Sequence, residues 1–303
     1  MLNAITIDVE EYFHPTEVQK TVGLDSWKDL PSRVEDQVLR ILELLDEKNT
    51  KATFFVLGWV AERHPRVARA IVAAGHEIAC HSYAHQLVFS LTPKQFRADT
   101  RQAVAAIQNA CGVSPTSYRA PSYSITGGTL WALEILVDEG FTQDSSIYPI
   151  FHDRYGIPGH ARHAHMIDTP SGPIQEIPIA TAKLSRGRMS PVGGGAYLRL
   201  LPYRYTAAGI RRLNLDEGQP ACIYFHPWEI DPHQPRLASG IISRMRTYTG
   251  LSGMYGKISR LLTDFNFSSM QIAYAPHAIP CRSAERVAVS SREVPVGPTR
   301  RLA

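Results

Sequence analysis

Through the first 145 residues, short apolar runs alternate with amphipathic stretches of helical period, and that alternation leaves few folds open. Residues 4–9, 52–57, 77–81, 117–120 and 141–145 read as strands. Between the first two, Val34, Val38, Ile41, Leu42 and Leu45 recur at helical spacing with charges between them. A helical stretch with Pro65 near the start of its next turn follows the second strand, and Gly75 closes residues 67–74 as a helix C-terminal glycine. Thr92-Pro93 opens a long helix to residue 110, with Thr as N-cap and Pro at the first helical position. Residues 129–139 form another helix, closed by Gly140. Strand, helix, strand at this regularity predicts parallel strands with crossover helices, an α/β fold that can close into a barrel.

The second half is less regular. Residues 147–205 are rich in Pro, Gly and His and read as loop. The triplet Gly193-Gly194-Gly195 lacks the Lys-Ser/Thr of a phosphate loop, so a tight-turn or mobile loop is expected. His160, His163 and His165 are expected on a solvated loop rather than at a second metal. Residues 221–225 form a late strand delivering His226, and a helix is expected near 257–265. Past residue 274 few large apolar side chains remain, so 1–274 is expected to be the folded domain and 275–303 a disordered tail.

At 303 residues, 44% hydrophobic and 20% charged, the chain can bury a sizeable core. The formal net charge of +4 is concentrated in the tail, where Arg282, Arg286, Arg292, Arg300 and Arg301 face only Glu285 and Glu293. The body is near neutral, which argues against nucleic acid as a partner. The arginines could give weak contact with an anionic membrane surface, a solvated tail being the blander reading. No run of about 18 apolar residues could span a bilayer. Nor does a charged-then-apolar leader precede the first strand, so a cytoplasmic protein is expected. Cys80, Cys111, Cys222 and Cys281 are scattered, and free thiols are expected in that setting.

The residues with chemical potential fall at strand ends: Asp8, His81, Arg119, Asp144 and His226. In β/α barrels the loops at those ends converge on one pocket. His81 and His85 are four apart, and on a helix they would share a face and could hold one ion. The spacing mimics His-Glu-x-x-His zinc proteases, but Ser82 stands where their general-base Glu belongs. On a strand, Asp8 and Glu10 share a face, so one carboxylate could bind the ion while the other acts as base. Glu11 is the competing ligand if the strand has already ended.

Five segments in this order resemble the polysaccharide deacetylases of the NodB-homology type, carbohydrate esterase family 4. They are Thr6-Ile-Asp8-Val-Glu10, His81-Ser-Tyr-Ala-His85, Arg119-Ala-Pro121-Ser-Tyr123, Asp144-Ser-Ser-Ile147 and Ile223-Tyr-Phe-His226. Val9, Ser122 and Ile147 depart from the family's usual Asp, Tyr and Trp at those positions. Asp8-Val-Glu-Glu-Tyr-Phe13, His152-Asp-Arg-Tyr-Gly156, Gly193-Gly-Gly-Ala-Tyr197 and His226-Pro-Trp-Glu-Ile-Asp-Pro232 look closest to a bacterial subfamily found with exopolysaccharide and exosortase gene clusters. The resemblance implies a distorted β/α barrel with fewer than eight strands and metal-dependent removal of acetyl from an N-acetylated sugar.

Carried onto this chain, His81, His85 and Glu10 would hold a divalent ion, zinc by default, although iron, cobalt, nickel or manganese suits the same donors. Asp8 would be the base, paired with Arg119, and His226 the acid, with Asp144 holding its ring. A backbone N–H near Ser122 would help stabilise the oxyanion. Trp228 would offer an aromatic platform for the sugar or simply pack in the core. Tyr123 and Arg154 are further substrate-binding candidates, with His14 and Asp153 beside them. The expected substrate is an N-acetylhexosamine unit of a surface polysaccharide or its lipid- or nucleotide-linked precursor. Two other readings stand: a C–N hydrolase on a small cyclic amide or ureide, favoured by a small closed pocket, and a non-catalytic carbohydrate-binding protein.

Overall fold

The computed structural model describes residues 1–152, 155–183 and 189–275. Its elements in chain order are β1 (Asn3–Val9), α1 (Thr16–Gln19), α2 (Val34–Glu47), β2 (Thr53–Val56), α3 (Gly58–Arg63), α4 (Pro65–Ala73), β3 (Glu77–Cys80), α5 (Pro93–Cys111) and β4 (Ser117–Tyr118). There follow α6 (Trp131–Asp138), β5 (Gln143–Asp144), the hairpin β6 (His165–Thr169) and β7 (Gly172–Glu176), and a second hairpin, β8 (Thr181–Lys183) and β9 (Met189–Pro191). The chain continues with α7 (Gly195–Leu200), α8 (Tyr203–Arg211), β10 (Cys222–Phe225), α9 (Ile241–Tyr248), α10 (Leu251–Asp264), β11 (Phe267–Ser268) and α11 (Met270–Ala273).

The main sheet runs β10-β1-β2-β3-β4-β5-β7-β6. Every pair from β10 to β7 is parallel, giving seven parallel strands along this path, with β6 antiparallel at the edge and β11 pairing parallel with β1 off the path. Residues 177–180 cross the remaining gap. The Ile177 N–H donates to the Asp144 carbonyl at 2.8 Å, and the Ala180 N–H to that of Cys222 at 3.0 Å. This irregular seam closes the sheet into a distorted barrel.

The strand pattern explains why the barrel is packed rather than hollow. All seven residues of β1 are buried, as a parallel strand covered on both faces requires. Ile5, Ile7 and Val9 join Phe54, Val56 and Cys80 in the outer layer against the helices, while Ala4 joins Phe55, Ala79, Cys222 and Tyr224 inside. Cys80 thus lies on the layer opposite His81's direction, as strand alternation predicts, and Cys80, Cys111 and Cys222 are free thiols.

The local signals for α5 act as read. Thr92 and Gln95 form a reciprocal capping box, and Gly112 ends the helix in the left-handed region at φ 77°. The loop expected over 147–205 is instead largely structured, with two hairpins and two helices. In β6 only Ile167 is buried, so the strand carries almost no alternating apolar signal. The helix expected at 257–265 begins earlier, at Leu251. Of the expected tail, residues 276–303 lie outside the described residues, as does Cys281. Among the described residues, no helix is long and apolar enough to cross a membrane.

Candidate metal and catalytic site

At the C-terminal end of the parallel strands the Glu10 carboxylate meets three imidazoles. Its Oε1 lies 3.2 Å from His81 Nε2, 3.0 Å from His85 Nε2 and 3.6 Å from His226 Nε2. Its Oε2 accepts from Trp228 Nε1 at 3.4 Å. Burial by itself would raise this carboxyl, but the nearby His85 and His226 and the hydrogen bonds from His81 and His85 hold it well below the usual range.

His81 and His85 are not presented by a helix. Ser82 and His85 adopt left-handed backbone, φ 67° and 52°, and the His85 N–H donates to Ser82 Oγ at 3.1 Å. The serine hydroxyl offers a local partner that competes with helical bonding, and the tight turn brings the rings to 5.5 Å centroid separation.

Glu10, His81 and His85 have ligand atoms within 4.8 Å of one another, all on buried residues. The His81 Nδ1 lies 2.8 Å from the Arg119 carbonyl, which can only accept, so Nδ1 carries a proton and Nε2 is the ring nitrogen that faces Glu10. That tautomer and this donor set suit a divalent ion. Glu11 is elsewhere: its carboxylate accepts from Ser32 and from the Arg33 and Val34 N–H groups, capping α2.

Arg119, fully buried, fills the barrel beneath the site. It donates to Asp8 Oδ1 at 2.6 Å, Thr6 Oγ1 at 2.7 Å and Ser145 Oγ at 2.9 Å, with its guanidinium 4.1 Å over the Phe55 ring. Asp8 Oδ2 lies 3.9 Å from His226 Nε2. Base candidate and acid candidate therefore flank the Glu10 cluster.

The expectation that Asp144 holds the His226 ring is not met. Asp144 accepts from the Ser146 hydroxyl at 2.6 Å and the Ser146 N–H at 3.2 Å, and hydrogen-bonds to Glu176. Burial raises both carboxyls, and the two donations to Asp144 favour the shared proton on Glu176, whose pKa stands well above the usual range. His226 Nδ1 is held instead by Glu229 Oε2 at 3.0 Å. Burial alone would depress the His226 imidazole; Glu10, Glu229 and Asp8 outweigh it and push it up to about 9. Glu229 was not singled out in the sequence, although it follows His226 by three residues in His226-Pro-Trp-Glu229.

Ser122 and Tyr123 line the cleft in left-handed backbone, φ 51° and 53°, a strained pair for non-glycine residues. Ser122 Oγ is 3.0 Å from Thr16 Oγ1. Trp228 lines the cleft, stacks on His226 at 5.0 Å and reaches Glu10. His14 is buried among Phe13, Trp27 and Trp59, its Nδ1 accepting the Glu11 N–H at 3.1 Å, and does not line the cleft. Asp153 and Arg154 lie outside the described residues. The cleft measures about 680 Å³ and adds Tyr155, Tyr224 and Phe89 to its walls.

The family model described as polysaccharide deacetylase matches residues 18–136. Over that segment, less than half of the chain, the sequence is similar to the polysaccharide deacetylases. Residues 145–275 match a domain of unknown function, DUF3473. Among individual proteins, the chain is 32% identical over 108 residues to a peptidoglycan deacetylase of Helicobacter pylori, covering 36% of each chain. It is 33% identical over 97 residues to a chitooligosaccharide deacetylase of Bradyrhizobium, covering 32% of this chain and 42% of that one. A bifunctional xylanase/deacetylase of Pseudobutyrivibrio xylanivorans is 34% identical over 111 residues, covering 36% of this chain and 18% of the relative. The matched segment thus spans well under half of each of these relatives. In fold, the chain resembles a crystal structure from Mycobacterium smegmatis described as a candidate polysaccharide deacetylase, with TM-score 0.63 at 21% identity, covering 97% of this chain and 94% of that one. A structure of a protein from Pseudomonas aeruginosa PAO1, likewise described as a candidate deacetylase, gives TM-score 0.58 at 16% identity, covering 87% and 84%.

Proposed function

We propose that this protein is a metal-dependent carbohydrate N-deacetylase, cleaving the amide of an N-acetylhexosamine unit to acetate and a free amine. The observation that carries the reading is the meeting of Glu10, His81 and His85 between Asp8 on one side and His226 on the other. A divalent ion held by those three, zinc as the default, would supply Lewis-acid polarisation of the substrate carbonyl. Asp8, aimed by its hydrogen bond from Arg119, takes a proton from the attacking water as its oxygen bonds the carbonyl carbon. His226 gives a proton to the amide nitrogen as the C–N bond breaks, so an amine leaves rather than an amide anion. In the Ser122–Tyr123 turn of the cleft wall the Tyr123 N–H is spent on the Ala120 carbonyl, so the Ser122 N–H would be the oxyanion donor.

Several features support a sugar as the substrate. Tyr123, Tyr155, Tyr224 and Trp228 give the cleft aromatic faces on which pyranose C–H groups pack. A volume of about 680 Å³ suits a drug-sized ligand or larger and speaks against a snug site for a small cyclic ureide. Among the described lining residues none is Lys or Arg, while Asp8, Glu10 and Glu17 are present. A neutral saccharide therefore fits the cleft itself, and the phosphates of a lipid- or nucleotide-linked precursor would lie beyond it. Exopolysaccharide as the polymer rests on the sequence resemblance alone.

The test is acetate release from N-acetylglucosamine oligomers and from lipid- and nucleotide-linked N-acetylhexosamine, alongside metal content. One divalent ion per chain, lost together with activity in the His81→Ala, His85→Ala double variant, is expected. A wild-type protein that binds no added ion, or that binds one and deacetylates none of these substrates, overturns the reading.

A further inference from the structure

We infer that Glu229, clamped by Arg199, is the positioning residue for the His226 imidazole, the role that motif order alone assigned to Asp144. The inference deepens the proposed deacetylase reading and rests on it for the role of His226.

Glu229 is fully buried, with one carboxylate oxygen on His226 and the other on Arg199. Oε2 receives His226 Nδ1 at 3.0 Å and the His226 backbone N–H at 3.1 Å, so it fixes both the ring and the chain that carries it. Oε1 is taken by the Arg199 guanidinium. Arg199, itself 2% exposed, is anchored in turn by the backbone carbonyls of Thr249, at 2.7 Å, and Arg246. With Nδ1 committed to a carboxylate, Nδ1 is a donor and Nε2 is turned to Asp8 and Glu10, where a leaving nitrogen would sit. Asp144 is occupied by Ser146 and Glu176. The nearest bland account is a buried ion pair that only ties α7 to the loop after β10.

The substitution Glu229→Gln separates the two. An amide has one acceptor oxygen and a donor NH₂, whereas the site presents three donors: Nδ1–H, the His226 N–H and Arg199. The ring should therefore lose its fixed orientation even if the fold survives. In zinc-loaded protein we expect kcat to fall about 10²–10³-fold with KM within about threefold, and Glu229→Asp to recover part of the loss. Independently of any substrate, the His226 ring nitrogens in ¹⁵N-histidine-labelled protein, assigned by their absence in His226→Ala, should shift in Glu229→Gln. Folded, zinc-loaded Glu229→Gln with wild-type kcat, or with unshifted His226 nitrogens, overturns the assignment to Glu229. If His226→Ala itself keeps wild-type turnover, the acid role in the deacetylase reading fails instead. If the wild type turns over nothing, the nitrogen shifts alone decide whether Glu229 holds the ring.

Discussion

Glu10 and Glu11 are neighbours of identical chemistry, both buried, and the backbone sends them to opposite tasks. Glu10 faces His81 and His85; Glu11 caps α2 through the Arg33 and Val34 N–H groups. Glu10→Ala should therefore abolish stoichiometric metal binding. Glu11→Ala should leave metal content intact while lowering stability by about 1–3 kcal/mol, the cost of two unpaired N–H groups at a helix start. Metal analysis and denaturant midpoints on both variants distinguish the two; loss of metal on changing Glu11 alone would contradict the geometry. His76 supplies a pH test away from the site. Its Nδ1 accepts the Ala52 N–H at 3.1 Å, and burial pushes its imidazole down to about 4. A base with a depressed folded pKa binds more protons unfolded than folded, so stability is full above the unfolded value, near 6.5, and is lost as pH falls toward 4. The contribution is at most about 3 kcal/mol. His76→Asn, which keeps an acceptor but does not titrate, should flatten that part of the stability–pH curve; an unchanged acid limb would show that His76 does not drive it.

At the scale of elements, the glycine triplet after β9 is a packing device. Gly194 has φ 111°, and a Cβ there would lie 2.0 Å from the Tyr224 ring of β10. Gly194→Ala should cost about 2–4 kcal/mol through both strain and overlap, read as a lowered melting temperature. Melting within a degree of wild type would mean that the Tyr224 ring swings aside freely. The same elements show what could be read in advance. The alternation from β1 to β5 was legible because those strands and helices sit at one core, where burial dictates residue type: Val34, Val38, Ile41 and Leu45 all face inward. Asp8, His81, Arg119 and His226 were legible because a barrel forces strand ends together. The hairpin β6–β7 was not, since it lies at the sheet edge with only Ile167 of β6 buried. The histidine turn left no distinct signal, because a spacing of four fits a helix as well as a turn closed by a serine hydroxyl. Glu229 escaped because its partner choice depends on Arg199 and on Asp144 being spent elsewhere, neither of which leaves a local pattern.

For the whole molecule, the question is whether the two family matches, residues 18–136 and 145–275, mark two folding units. The hydrogen bonding argues that they do not. β10 and β11 come from the second segment, yet both pair with β1, along Ala4–Ile7 and Asn3–Ala4 respectively. Residues 177–180 close the barrel between Asp144 and Cys222. Asn3, at the start of β1, exchanges hydrogen bonds with Asn214 and holds the Ala221 N–H at 2.8 Å. Removing the second segment would expose β1 as an unpaired apolar edge and open the barrel interior, including the buried Arg119, to water. Residues 1–144 expressed alone should therefore lack a cooperative thermal transition and should aggregate. The whole chain should melt in one transition, with far-UV and tyrosine–tryptophan signals coinciding. A separately folding 1–144 fragment, or two resolved transitions in the whole chain, would show instead that the first segment stands alone. In that case His226 and Trp228 would have to dock onto a preformed Glu10–His81–His85 cluster rather than fold with it.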